Sequence, residues 1–275
     1  KELQSNVTDN DSAKMHTSHG TVQGYNAQAI VDSKHQVIVH GEAVGKGLDN
    51  DNLPPVVDGA KKNLESIGKS KDYFEGKIVT ADSSYHSVTN INKCNEEKID
   101  AYIPDNKFRN RDKRFASRVG YRPRSKKFTF TDFHYDEDKD EYICPNGKRL
   151  KRFGKLGRHK GKLLKRYIST EKDCRRCDLR AKCLRNKDTK RRHFTYYVDA
   201  SGQNISQAMV KKIETQKGRK IYPQRIAIVE PVFANIRVNK RMDKFSLRGK
   251  IKVNIQWLLY CMVHNIEKVA NYGFA

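Results

Sequence analysis

Between Lys107 and Arg192 the chain carries 31 Lys and Arg against 11 Asp and Glu, a net charge of +20 over 86 residues. Like charges at that density repel one another, and the few apolar residues among them follow no helix or strand period. The other 189 residues hold 25 basic and 21 acidic side chains, the balance of an ordinary protein. A chain of 275 residues with net charge +24 is therefore read as a conventional core interrupted by one polyelectrolyte segment. Segregated positive charge on this scale points to a polyanion, most commonly nucleic acid. A surface serving solubility alone would mix both signs.

No run of about 18 apolar residues is present, so no membrane span and no membrane partner are expected. Lys1-Glu2-Leu3-Gln4 lacks both the apolar stretch of a signal peptide and an initiator Met, which suggests a piece of something longer. Six cysteines in a chain of this size do not make a disulfide scaffold, and a cytoplasmic, nucleoid-associated protein is the default expectation.

Outside the basic segment, strand and helix signals alternate. Ser5 to Met15 is polar and ambiguous; Val22 to Val31 and Gln36 to Val44 are β-rich runs separated by the turn-like Asp32-Ser33-Lys34-His35. Leu53, Val56, Val57, Ala60 and Leu64 recur at helical spacing between Asn52 and Ile67. Lys77 to Ala81 reads as a strand, Ser87 to Lys98 as a helix, and Ala101-Tyr102-Ile103 as a strand stopped by Pro104. From there to about Gln216 only short strands and loops are expected. Pro223 suits a first helical turn, with Ile226, Val229, Phe233 and Ile236 following at steps of three and four. After Gly249, the residues Ile251, Ile255, Leu258, Met262, Ile266 and Val269 form one apolar stripe of a last helix. The class is α/β, with residues 1–106 and 217–275 as the core domain and 107–216 as a basic insertion. Strands in a meander followed by alternating helices and strands suit a ribonuclease H-like domain, an order that other folds share.

Several carboxylates are placed to hold Mg²⁺ or Mn²⁺, which want hard oxygen ligands and act in pairs on phosphodiesters. Asp82 directly follows an apolar strand, where sites gather in α/β sheets; it serves equally as a cap for the next helix. Glu230 lies on a helix, and Arg237 and Arg241, seven and eleven residues on, fall within about 20° of it at 100° per residue. That ridge suits a metal ligand beside phosphate-binding cations, or a surface Glu paired with arginine. Asp9 and Asp11 would share a face if their segment is a strand, and form a polar turn otherwise.

Cys174-x2-Cys177-x5-Cys183, with Cys144 upstream in Ile143-Cys144-Pro145-Asn146-Gly147, has the character of a zinc ribbon, in which a Cys-x2-Cys turn presents two thiolates to one ion. Structural Zn²⁺ would give the insertion the core that its composition does not promise, with His159 or His193 as substitute ligands. Cys94 and Cys261, on expected helices, are packing residues, as is Trp257. Phe108, Phe115, Tyr121, Phe128 and Phe130 interleave with cations; they suit a small local core better than base stacking.

Taken together, Thr8-Asp9-Asn10-Asp11-Ser12, Gln23-Gly24-Tyr25-Asn26-Ala27-Gln28-Ala29, Ala81-Asp82-Ser83-Ser84-Tyr85, Ile99-Asp100-Ala101-Tyr102-Ile103-Pro104, Arg225-Ile226-Ala227-Ile228-Val229-Glu230-Pro231-Val232-Phe233 and Leu247-Arg248-Gly249 resemble the DDE transposases of the IS4/IS5/IS1182 grouping, most closely the IS1182-type members. The resemblance implies a ribonuclease H-like catalytic domain with the Cys-containing insertion between its last core strand and its Glu-bearing helix. It implies an Asp-Asp-Glu triad of Asp11, Asp82 and Glu230 holding Mg²⁺, with Asp11 preferred to Asp9 because Asp-Ser after a strand matches the family's element. Tyr222, Arg225, Glu230 and Arg237 approximate the family's Tyr-Arg-Glu-Lys signature, with one extra residue between Arg and Glu and Arg in place of the final Lys. With Arg241, these cations would bind DNA phosphates. The implied activity is cleavage at transposon ends and strand transfer into double-stranded target DNA by a homodimer. Only about ten residues precede the first Asp, where such enzymes carry a helical DNA-binding region, so the chain reads as a catalytic part. A structure-selective nuclease on the same fold, and a non-catalytic zinc-ribbon DNA-binding protein or inactive relic, are the competing readings.

Overall fold

The computed structural model describes residues 6–17, 20–117, 127–159, 161–198 and 204–273; Tyr121 lies outside them. The architecture is mixed α/β, in two compact units: Lys1–Asp105 with Met209–Ala275, and Asn106–Ala208.

The first unit opens with β1 (Ala13–Thr17) and β2 (Gly20–Gly24), an antiparallel pair. A second antiparallel pair follows, β3 (Asn26–Val31) and β4 (Ile38–Val44). Their turn is built by Asp32, whose carboxylate accepts the Lys34 and His35 N–H groups at 3.0 and 2.7 Å. Helix α1 (Leu53–Ser66) starts on prolines, which fit a first turn, and buries Leu53, Val56, Val57 and Ala60. Strand β5 (Ile78–Thr80) and β6 (Asp100–Tyr102) run parallel, and such a pair needs the crossover that α2 (Val88–Glu96) supplies. Ser87 caps α2 by accepting the Asn90 N–H at 3.1 Å. These six strands pair two by two; among the described residues no ladder joins the three pairs.

The second unit is a single antiparallel sheet with short helices. After α3 (Phe108–Arg111) come β7 (His134–Asp136), β8 (Glu141–Ile143), β9 (Arg149–Arg152), β10 (Gly157–His159) and β11 (Lys162–Ile168). Then α4 (Glu171–Arg175), α5 (Arg180–Cys183) and β12 (His193–Tyr197) complete it. Strand β11 is the hub: β12 pairs with it, and β10 and β9 pair with successive stretches of it. Its aromatics form a local core: Phe133, Tyr142, Leu150, Tyr167 and Phe194 are buried together, with Phe128, Phe130, Tyr135, Tyr196, Cys144 and Cys183 packed on them. Its rings meet edge-on, as between Phe133 and Phe194 at 4.6 Å, the arrangement that aromatic quadrupoles favour. The phenols keep partners: Tyr142 and Tyr196 share a hydroxyl bond of 3.0 Å, and Tyr135 and Tyr167 both donate to Asp140. Burial works to raise the Asp140 pKa, but those two hydroxyls, Lys165 and Arg152 outweigh it and bring it down to about 2.

The chain returns to the first unit within α6 (Ile205–Glu214), followed by α7 (Gln216–Ile221), α8 (Gln224–Ala234) and α9 (Lys250–Tyr272). Helix α9 is the lid of the β3–β4 core. Its stripe of Ile251, Ile255, Leu258, Met262, Ile266 and Val269 turns outward, and the buried face is Val253, Trp257, Cys261 and His264. Polar bonds decide the orientation. Asn265 both accepts from the Ile38 N–H and donates to its carbonyl at 2.8 Å, Asn254 accepts the Ala43 N–H at 2.8 Å, and Trp257 Nε1 donates to the Gln28 carbonyl at 3.0 Å. Asn254 and Asn265 are eleven residues apart, hence on one face, and they satisfy backbone groups on β4 that an edge strand would leave open. Gly41 permits the approach, since a Cβ there would stand 2.9 Å from Trp257 Nε1 and 3.0 Å from Cys261 Sγ. Among the described residues no helix is long and apolar enough to cross a membrane.

Candidate active site

Asp82 leaves β5 and caps the one-turn 3-10 helix Ser83–Tyr85, its carboxylate accepting the Ser84 N–H at 3.1 Å. Capping leaves the second oxygen, Oδ2, facing Arg225 Nη2 at 3.5 Å. The same Nη2 stands 3.4 Å from Glu230 Oε1. One guanidinium therefore bridges two carboxylates that arrive from β5 and from α8. Arg225 comes from the first turn of α8 and is 11% exposed, whereas Asp82 and Glu230 are 46% and 59% exposed. The Nε of Arg225 is buried with no hydrogen-bond partner among the described residues. A buried cation with two accessible acids in front is a site where positive charge is held between carboxylates. Asp82 and Arg225 also border a cavity of about 630 Å³ walled by β3, β5 and α8.

Asp9 and Asp11 are placed elsewhere in the same unit, at the start of α9. Asp9 accepts the Tyr25 hydroxyl at 2.7 Å, the Gly249 N–H at 3.0 Å and the Asp11 N–H at 3.2 Å. The Gly249 bond, then the Tyr25 hydroxyl, hold its carboxyl below the ordinary range. Asp11 accepts the Lys250 N–H at 3.0 Å. Both acids thus complement the positive end of a 23-residue helix. Among the described residues no group of three or more His, Cys, Asp or Glu is arranged to hold a metal ion.

The ridge expected to align Glu230 with Arg237 and Arg241 is interrupted. Helix α8 ends at Ala234 and continues as a π turn, Asn235–Asn239, which resets the angular phase; Arg237 lies in that turn. Arg241 lies beyond it, with φ of 55°, and both arginines are exposed. Tyr222 is half-buried between α7 and α8, its carbonyl accepting the Arg225 N–H at 3.2 Å.

Sequence reasoning missed Asp49. Its Oδ1 accepts from Asn26 Nδ2 at 2.7 Å and Gln28 Nε2 at 2.9 Å, and its Oδ2 accepts the Ser84 hydroxyl at 2.8 Å. Gln28 in turn accepts the Tyr85 hydroxyl. Burial, then the charges of Asp49 and Asp82, push the Tyr85 phenol up, so it stays a donor. Asp49 thereby ties β3 to the turn that presents Asp82. Its only sequence signal is a polar Asp-Asn-Asp-Asn run ahead of α1, which reads as helix capping.

In the second unit, Cys144, Cys174, Cys177 and Cys183 line one cavity of about 30 Å³. Cys94 and Cys261 are buried packing residues.

Residues 143–270 match the family model described as "Transposase DDE domain". The match takes in Glu230, Arg225 and the four clustered cysteines, spans a little under half of the chain, and supports a DDE transposase. No curated protein and no solved structure matches.

Proposed function

We propose that the chain is the catalytic part of a DDE transposase, which cleaves DNA at transposon ends and joins the freed 3′ end to target DNA. The observation that carries this reading is the convergence of Asp82 and Glu230 on Arg225, two acids distant in sequence brought to one guanidinium. The family match adds the class of chemistry. The ribonuclease H-like assignment of the first unit belongs to the same proposal; its support is the β-β-β-β-α-β-α-β order with the acid at the end of β5.

Asp82 and Glu230 offer hard oxygen donors, and the guanidinium between them stands in for the cation such a pair attracts; Mg²⁺ fits this donor chemistry. When bound, the metal supplies activation of the attacking oxygen and stabilisation of the leaving one. Asp11, or its neighbour Asp9, is the third ligand in this reading, recruited from the start of α9. Arg225, once released from the acids, faces the scissile phosphate, and Asp49 keeps the Asp82 turn in register with β3. Tyr222, Arg237 and Arg241 contact flanking phosphates, and the basic second unit holds the duplex.

The test is incubation with Mg²⁺ on duplex DNA carrying the ends of the element that encodes the chain, scored for nicking and for joined products. Asp82→Asn and Glu230→Gln are each expected to lower cleavage at least about 10³-fold with DNA affinity retained. Cleavage that survives Asp82→Asn would falsify the site assignment, and cleavage without joining would make the chain a nuclease instead.

A further inference from the structure

The four cysteines of the second unit have no part in the proposed reaction, yet three separate stretches of chain deliver them to one place. Cys144 opens the turn between β8 and β9, Cys174 lies in α4, Cys177 follows it and Cys183 ends α5. All four line a cavity about the size of a single water, in which a small ion also fits.

Hydrogen-bond donors and cations surround the sulfurs. The Lys148 N–H points at Cys144 Sγ at 3.3 Å, across a turn that Gly147 closes at φ of 70°. Asn146 Nδ2 reaches from that turn to Cys177 Sγ at 3.4 Å. Lys148, Arg180 and Arg192 border the cavity. Arg180 holds the Cys174 carbonyl at 3.1 Å and Arg192 the Cys183 carbonyl at 2.9 Å, so the backbone that carries the sulfurs is fixed by cations. The bordering acid, Asp173, is engaged by the Thr170 hydroxyl at 2.6 Å.

We propose that Cys144, Cys174, Cys177 and Cys183 bind one Zn²⁺ ion that ties the β8–β9 turn to α4 and α5. Four thiolates around a divalent ion leave a charge of −2, which Lys148, Arg180 and Arg192 are placed to offset. Binding releases the thiol protons to solvent and changes no oxidation state. The sulfurs here line the cavity without closing a coordination shell. Neutral thiols have nothing to draw them to a common centre, and Zn–S bonds of about 2.3 Å supply that draw. The ion's role is local: the aromatic core already packs on Cys144 and Cys183 from the other side.

The experiment uses the full chain, purified without chelator, with metal content measured by mass spectrometry and the zinc exchanged for Co²⁺. One zinc per chain and the absorption bands of tetrahedral, thiolate-bound cobalt are expected. Cys174→Ser and Cys177→Ser should each lose the metal, whereas Cys177→His, which keeps a ligand, should retain it and guards against a misfolded variant. A wild-type protein that takes up neither metal, that shows a disulfide among these cysteines, or that carries iron and sulfide overturns the proposal. None of these readouts depends on DNA cleavage, so the zinc site and the transposase reading fail separately.

Discussion

The two units solve the same packing problem with different materials. The first closes over β3 and β4 with a helix from the far end of the chain, through Val232, Ile236, Val253 and Trp257, and fixes that helix with asparagine side chains on β4. The second is continuous in sequence and buries Tyr and Phe rings, with the Tyr135 and Tyr167 hydroxyls converging on Asp140. Where its strands are cationic they offer little aliphatic face: β9 is Arg-Leu-Lys-Arg, with Leu150 alone buried. An aromatic ring buries large area from one position, so a strand with a single inward residue can still contribute to a core. The comparison teaches that a highly charged segment can keep its cations outside and still own a core, provided that the core is aromatic.

Removing the keystone of the first core should have the largest effect. Trp257→Ala deletes a fully buried ring and its bond to Gln28, at a cost of about 3–5 kcal/mol. Hydrogen exchange should show lost protection at β3 and β4 with the strands of the second unit spared; equal loss in both would make them one cooperative body. Asp140→Asn is the corresponding probe of the second unit, with about 2 kcal/mol at neutral pH. Because the native pKa of about 2 lies below the ordinary 3.8, that contribution is present above about pH 4 and disappears as pH falls through about 2. Thermal unfolding followed by near-ultraviolet circular dichroism should therefore show tyrosine packing lost at lower temperature in the variant at neutral pH, with the difference vanishing in strong acid. The smallest effect is on DNA. Arg237→Ala and Arg241→Ala should each lower the slope of log affinity against log salt by about one, a minor share if the second unit carries the charge; a collapse of the slope would put the duplex on the first unit.

The first unit was legible where apolar residues kept a period. Helices α1 and α2 and strands β5 and β6 lie within a few residues of where spacing and Pro104 placed them. Helix α9 was legible as a helix and misleading as a surface, because it is apolar on both sides. Its buried stripe contains His264, whose ring bonds to the Gln36 carbonyl at 2.9 Å and to Asn235, a partnership that no spacing reveals. In the second unit short strands were expected but could not be placed, because the strand signal needs alternation over several residues, and β7 to β9 have three or four residues each. At the site, Asp82 and Glu230 could be named from their positions after a strand and on a helix. Arg225 was marked as a phosphate contact, but its bridging place between the two acids depends on how α8 approaches β5. Asp49 stayed hidden because its partners, Asn26, Gln28 and Ser84, belong to segments that meet only in the fold.

The asparagine latch has a consequence for how the protein is made. Asn265 and Ile38 are 227 residues apart in sequence. At about 5–20 residues per second, β4 leaves the ribosome on the order of ten seconds or more before the helix that covers it. The second unit, whose contacts are local, can complete its sheet in that interval. Until α9 arrives, the backbone groups of Ile38 and Ala43 are an open edge on which another nascent chain can pair. This late-arriving helix thus acts as the molecule's own protection against aggregation, and a ribosome that stalls before Lys250 would release a chain with that edge uncovered.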